Sequence, residues 1–151
     1  MLYSSKLKVK SAPSAKEYFM PHRILMIDDD REMVTLGKLI LKREGFDVLF
    51  AFSGAEGLEI LNNQGDSIDL VLLDIMMIGM DGWQVLETIK GSEKLAHLPV
   101  IMLTARHYLE DESETKNYEH LFNDYVVKPF VVRELLGKIN KLLEENQSET
   151  A

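Results

Sequence analysis

Five short apolar segments constrain the fold more than any other feature of this sequence. They are Ile24–Ile27, Asp47–Ala51, Leu70–Leu73, Val100–Leu103 and Tyr125–Val127. Apolar residues fill them almost continuously, which is typical of strands that are buried on both faces. Longer stretches with a helical period separate them, as in repeated β–α units. The sequence therefore predicts a doubly wound α/β fold, with a five-stranded parallel sheet covered by five helices.

Helix-end signals support this division of the chain. Asp30 is placed to cap the first helix, and Gly45 to end it. Ser53 and Glu56 have the spacing of a capping box for the second helix, and Asp81 can cap the third. These signals fix where the helices begin and end between the predicted strands.

One domain accounts for most of the chain. We expect it to span residues 21–146, with a last helix that begins after Pro129 and ends near Glu145. Residues 1–20 are rich in Lys and Ser and are expected to form a flexible extension, and residues 147–151 a short tail. On this division the chain has no room for a second, effector domain.

Composition excludes several functional classes. The sequence has no cysteine, which removes disulfides, thiolate nucleophiles and zinc–thiolate sites. Its net charge of −8 disfavours nucleic acid as a partner, and no apolar run has the length of a membrane helix. We therefore expect a cytoplasmic protein without membrane insertion.

Polar residues follow four of the five predicted strands. Asp28 and Asp29 come after the first strand, Asp74 after the third, Thr104 after the fourth and Lys128 after the fifth. Ligands of open parallel sheets bind beyond the carboxyl ends of the strands. We expect these side chains to meet at one edge of the sheet.

The residue types at this edge indicate phosphoryl chemistry with Mg²⁺. Two carboxylates about 4 Å apart repel by about 4 kcal/mol at an effective dielectric constant of about 20, so a cation is needed between them. Mg²⁺ prefers carboxylate oxygens, water and phosphate oxygens, and it does not select thiols or imidazoles. Lys128 and Thr104 supply an ammonium and a hydroxyl that suit a phosphoryl oxygen.

Several motifs occur in order at these strand ends. They are Ile24–Asp30, Asp69–Met77, Gly79–Gly82, Leu103–Ala105 and Asp124–Phe130. In this combination the sequence resembles the receiver domain of two-component response regulators, from Arg23 to about Glu145. The resemblance implies the flavodoxin-like strand order 2-1-3-4-5, for which the chemotaxis receiver is a standard example.

The resemblance also implies roles for the acidic residues. Asp74 would accept a phosphoryl group from a phosphohistidine on a sensor histidine kinase or a histidine phosphotransfer protein. Asp29 would bind Mg²⁺ directly, and Asp28 through water. Asp74 and the backbone carbonyl of Met76 would complete the protein ligands. Lys128 would contact the phosphoryl oxygen.

A conformational switch is implied by the same resemblance. Thr104 would move toward the phosphoryl group, and the Tyr125 ring would fill the space that it leaves. The surface of the fourth helix, fifth strand and fifth helix would then regulate a separate protein target. The module would catalyse only its own phosphorylation and slow dephosphorylation, which we expect Met76 and Arg106 to tune. The Lys128–Pro129 peptide bond is expected to be cis.

Two segments depart from the family pattern. Ile78 stands where the family usually has proline, and Leu121–Asn123 replace a run of small residues. We expect neither change to touch the acid pocket. The separation of Thr104 and Lys128 is longer than is common in the family.

The longer separation predicts an atypical or shifted fourth helix. Tyr108, Leu109 or Tyr118 would then be exposed to a partner.

Two other functions fit part of the sequence. The Asp28-x-Asp30 pattern resembles a haloacid-dehalogenase-like, Mg²⁺-dependent phosphohydrolase, but the later acidic pair of that family is missing and Asp74 has no role in it. A receiver-like module that binds its partners without phosphorylation is the other alternative.

Overall fold

A five-stranded, wholly parallel sheet forms the centre of the structure, a computed structural model that describes residues 20–105 and 112–150. Its strands are β1 (Arg23–Ile27), β2 (Asp47–Ala51), β3 (Leu70–Asp74), β4 (Val100–Thr104) and β5 (Asp124–Val127). Their order is β2-β1-β3-β4-β5, and every neighbouring pair is parallel. The predicted flavodoxin-like α/β fold is confirmed, and each strand lies within one residue of its predicted bounds.

In the described ranges, five α-helices connect and flank the strands. They are α1 (Arg31–Arg43), α2 (Gly54–Gln64), α3 (Gly82–Lys90), α4 (Glu112–Tyr118) and α5 (Val132–Thr150), and a 3₁₀ turn at Gly65–Ser67 follows α2. Within the described ranges, none of these helices combines the length and the apolar character that a bilayer span requires.

The alternation of side chains along each strand divides the core into two layers. In β1, Leu25 and Ile27 belong to the layer that α2 and α3 cover, whereas Ile24 and Met26 belong to the layer that α1 and α5 cover. All four are fully buried. The central strands β1, β3 and β4 are therefore almost wholly buried, which is why they are nearly continuously apolar, whereas the edge strands β2 and β5 are partly exposed.

The helix caps differ in one detail from the prediction. Asp30 caps α1, and Asp81 forms a complete capping box with Gln84 at α3. Ser53 caps α2 as predicted, but the Glu56 carboxylate accepts from the Phe52 amide and not from that of Ser53.

The last helix is longer than predicted. α5 continues past Glu145 to Thr150, and no glycine or proline occurs between these residues to end it.

Tyr118 is not exposed, so this part of the prediction for the fourth helix is wrong. Its ring stacks on the buried Trp83 ring with 4.6 Å between centroids and 6° between planes. Phe122 also packs against Trp83, at 6.0 Å. The stack holds the C-terminal end of α4 against α3. Tyr108 and Leu109 lie outside the described residues.

Gly82 allows α3 to begin directly against the backbone of β3. Its N–H donates to the Ile75 carbonyl at 2.8 Å. A Cβ atom at this position would lie 2.1 Å from the Asp74 carbonyl oxygen and 2.8 Å from the Ile75 Cα. Only glycine permits this approach, because backbone atoms cannot move aside as a flexible side chain can.

Replacing Gly82 with alanine should therefore destabilise the fold. We expect Gly82→Ala to lower the free energy of unfolding by about 2–3 kcal/mol, despite the better helix propensity of alanine. Urea unfolding followed by circular dichroism measures the loss. Gly137→Ala is the matched control, since nothing lies within 4 Å of its added Cβ, and it should gain about 0.5–1 kcal/mol. Equal stability of Gly82→Ala and the unmodified chain would contradict the assigned role.

Candidate functional site

Four charged side chains meet at the carboxyl edge of the sheet. Asp28 and Asp29 follow β1, Asp74 ends β3 and Lys128 follows β5. The hydrogen-bond ladder continues to these positions, because the Asp28 N–H donates to the Ala51 carbonyl at 3.1 Å and the Lys128 N–H to the Thr104 carbonyl at 2.8 Å. The backbone therefore fixes where each side chain starts.

Lys128 joins two buried carboxylates. Its Nζ lies 3.0 Å from Asp28 Oδ2 and 3.2 Å from Asp74 Oδ1. Asp28 is fully buried, and its other oxygen, Oδ1, accepts from the Asp30 N–H at 3.0 Å. The Lys128–Pro129 peptide bond is cis, as expected.

One lysine does not balance the charge of this site. Burial, followed by the charge of Asp28, raises the pKa of Asp74 from the usual 3.8 to about 7, although Lys128 opposes the rise. Burial lowers the pKa of Lys128, but Asp28 and Asp74 outweigh burial and hold it above its ordinary value. The site therefore favours added positive charge.

Oxygen atoms are arranged here in a way that suits a hard divalent cation. One carboxylate oxygen from each of Asp28, Asp29 and Asp74 lies within 4.8 Å of the other two. A cavity of about 200 Å³ opens beside them, and its lining residues are Asp29, Asp30, Asp74, Ile75, Met76, Ala105 and Lys128. This donor set and the excess negative charge fit Mg²⁺.

Ile78 contacts the acid pocket, contrary to the expectation from the sequence. Its backbone N–H donates to Asp29 Oδ2 at 3.0 Å. Its side chain points outward and is 91% exposed. The departure from proline was visible in the sequence, but the contact joins residues 49 positions apart and depends on the path of the loop before α3.

The two predicted switch residues lie outside the charged cluster. Thr104 is buried at the end of β4, and its hydroxyl donates to the Ala105 carbonyl at 2.9 Å. Tyr125 lies on β5 with 39% of its surface exposed. The Nζ of Lys138 lies 4.8 Å from the Tyr125 ring centroid and donates to the Tyr125 carbonyl at 2.6 Å. Arg106, predicted to tune dephosphorylation, lies outside the described residues.

Comparison with known proteins places this geometry in context. Residues 24–140 match the response regulator receiver domain. The transcriptional regulatory protein CpxR of Escherichia coli K12 is 40% identical over 125 residues, which cover 83% of this chain and 50% of CpxR. The heme response regulator HssR of Staphylococcus epidermidis is 38% identical over 123 residues, which cover 82% of this chain and 52% of HssR. This chain thus spans about half the length of these curated relatives.

A solved structure shows the same architecture. The CheY-like receiver domain protein from Methanospirillum hungatei JF-1 superposes with a TM-score of 0.75 at 32% sequence identity. The match covers 86% of this chain and 99% of that protein's chain.

The raised pKa of Asp74 predicts how its removal affects stability. Folding takes up a proton on Asp74 between its usual pKa of 3.8 and about 7, so its contribution to stability is greatest below pH 4 and is lost as the pH rises through 7. We expect Asp74→Asn to raise the free energy of unfolding of the metal-free chain by about 1–3 kcal/mol at pH 8. The gain should be small at pH 4.

Urea unfolding in EDTA at both pH values measures this difference. The exposed Glu59→Gln on α2 controls for the loss of a surface charge. Loss of stability in Asp74→Asn at pH 8, or an equal gain at both pH values, would contradict this prediction. It would mean that the folded chain does not disfavour the charged form of the Asp74 carboxyl.

Proposed function

The chain belongs to the response regulator receiver family, and on that premise we propose that it is a phosphorylation switch whose phosphoacceptor is Asp74. The supporting observation is the position of Asp74. It is the last residue of β3 and lines the cavity, and its carboxylate forms an ion pair with Lys128. Asp28 is fully buried and bonded at both oxygens. Of these two carboxylates, Asp74 is therefore the one presented to a phosphodonor.

The proposed step transfers a phosphoryl group from a phosphohistidine. An Asp74 carboxylate oxygen attacks the phosphorus, a P–O bond forms, and the P–N bond breaks with its electron pair leaving on the histidine nitrogen. The product on this chain is an acyl phosphate. Receivers take this group from histidine kinases, so the proposed partner is a sensor histidine kinase or a histidine phosphotransfer protein.

Residues of the pocket have distinct proposed roles. Asp28, Asp29, Asp74 and the Met76 backbone carbonyl would hold Mg²⁺, which, when bound, supplies positive charge for the phosphoryl oxygens. Lys128 keeps the Asp74 carboxylate oriented and offers its ammonium to a phosphoryl oxygen in the cavity.

Thr104 and Tyr125 are the proposed switch. The Thr104 hydroxyl donates a hydrogen bond to the Ala105 carbonyl. The Tyr125 ring faces outward and lies against the ammonium of Lys138. A phosphoryl group on Asp74 adds acceptor oxygens to which that hydroxyl can donate instead. The ring would then move inward and change the α4–β5–α5 surface, through which we propose that the chain regulates a separate protein target.

Receivers are signalling modules rather than classical enzymes, so the family does not favour the phosphohydrolase alternative. The module's own chemistry is proposed to be limited to its phosphorylation and slow dephosphorylation, with Met76 and Arg106 tuning the latter. Met76 lines the cavity, where it can affect the approach of water to the acyl phosphate.

Reaction with a small phosphodonor tests this proposal. After incubation with acetyl phosphate and MgCl₂, intact-mass spectrometry should show the gain of one phosphoryl group. Asp74→Asn should abolish the gain, because an amide cannot act as the nucleophile. Asp30→Asn is the matched control, since asparagine can also cap α1, and it should retain the gain.

Two results would contradict the proposal in different ways. Multiple-turnover release of phosphate that depends on Asp28 and survives Asp74→Asn would indicate a hydrolase. A complete absence of phosphoryl gain with MgCl₂ present would indicate a module that binds partners without phosphorylation.

A further inference from the structure

The loop between β3 and α3 is tied to the acidic pocket by one backbone contact. The Ile78 N–H donates to Asp29 Oδ2 at 3.0 Å. The Ile78 side chain is 91% exposed, so its packing is not what places the loop beside β1. The coupling between this loop and Asp29 therefore belongs to the amide and not to the isoleucine side chain.

We propose that Ile78 is a positioning residue for the metal site, and that its amide fixes the Asp29 carboxylate for Mg²⁺. This inference rests on the proposed function, in which Asp29 is a metal ligand. The contact engages one carboxylate oxygen, Oδ2, and leaves Oδ1 available to the cation.

Donors hold each of the three carboxylates of the site. Lys128 and the Asp30 N–H hold Asp28, and Lys128 holds Asp74. Asp29 is the half-buried member of the three, and the Ile78 N–H holds it. A carboxylate without such a donor samples several rotamers, and fixing one of them on metal binding costs entropy.

The amide also links two proposed ligands of the same cation. Met76, whose carbonyl is the proposed backbone ligand, lies two residues before Ile78 in the same loop. The hydrogen bond from this loop to Asp29 therefore fixes the positions of the two ligand-bearing segments relative to each other before the metal binds. Proline, the residue usual in this family at this position, has no N–H and could not make the bond.

Removal of the amide hydrogen tests the inference directly. Ile78→Pro deletes the donor, whereas Ile78→Ala shortens the side chain and keeps the donor. Titration of each full-length variant with MgCl₂ in a calorimeter gives the dissociation constant. We expect Ile78→Pro to bind Mg²⁺ about tenfold more weakly than the unmodified chain. Ile78→Ala should stay within about twofold of it.

A second measurement does not depend on the proline variant folding. Hydrogen exchange of the Ile78 amide, followed by nuclear magnetic resonance, should be slow in the unmodified chain. It should be about tenfold faster in Asp29→Ala, because the acceptor is gone. An exchange rate that is equal in the two proteins would overturn the inference.

Failure of this inference is distinguishable from failure of the proposed function. If the unmodified chain neither binds MgCl₂ nor gains a phosphoryl group, the proposed function fails. If it does both and Ile78→Pro binds Mg²⁺ equally well, only the role of Ile78 fails. Equal weakening in Ile78→Ala and Ile78→Pro would also overturn this role, because it would assign the effect to the side chain.

Discussion

The ion pairs of Lys128 with Asp28 and Asp74 are the interaction on which the site depends. They place one ammonium between two buried carboxylates at distances of 3.0 and 3.2 Å. A buried carboxylate without a partner would be strongly destabilising, so the lysine makes it possible to keep both in the core. The pairing is nevertheless incomplete, because the pKa of Asp74 remains raised to about 7. The folded chain thus retains a negatively charged site that an added cation would stabilise.

Backbone hydrogen bonds position the residues that carry these charges. Strand ladders place Asp28 and Lys128, and the Gly82 amide joins the start of α3 to the residue after Asp74. Apolar layers on both faces of the sheet bury the strands behind the site. An open cavity beside Asp74 gives a ligand access to this edge of the sheet. Such a framework favours a site whose geometry exists before a ligand arrives.

The residues that move in the proposed mechanism, Thr104 and Tyr125, lie on β4 and β5 beside this framework. Tyr125 lies on β5, three residues before Lys128, and its partly exposed ring lies next to Lys138 of α5. In the proposed mechanism, a phosphoryl group on Asp74 would act on the α5 side of the sheet through Thr104 and Tyr125. On the opposite side, the stack of Tyr118 on Trp83 attaches α4 to α3. The contact of Tyr125 with Lys138 and the stack of Tyr118 on Trp83 both border the α4–β5–α5 surface. We propose that the chain regulates its protein target through this surface.

The sequence by itself determined the α/β fold, the strand bounds to within one residue and the set of charged side chains at the sheet edge. These follow from local signals, namely apolar periodicity, helix caps and the residue type that comes after each strand. Tertiary structure alone decided that Tyr118 is stacked on Trp83, that Lys128 bonds both Asp28 and Asp74, and that the Ile78 amide reaches Asp29. Such contacts join residues far apart in sequence and depend on loop paths and side-chain directions, which local patterns do not specify.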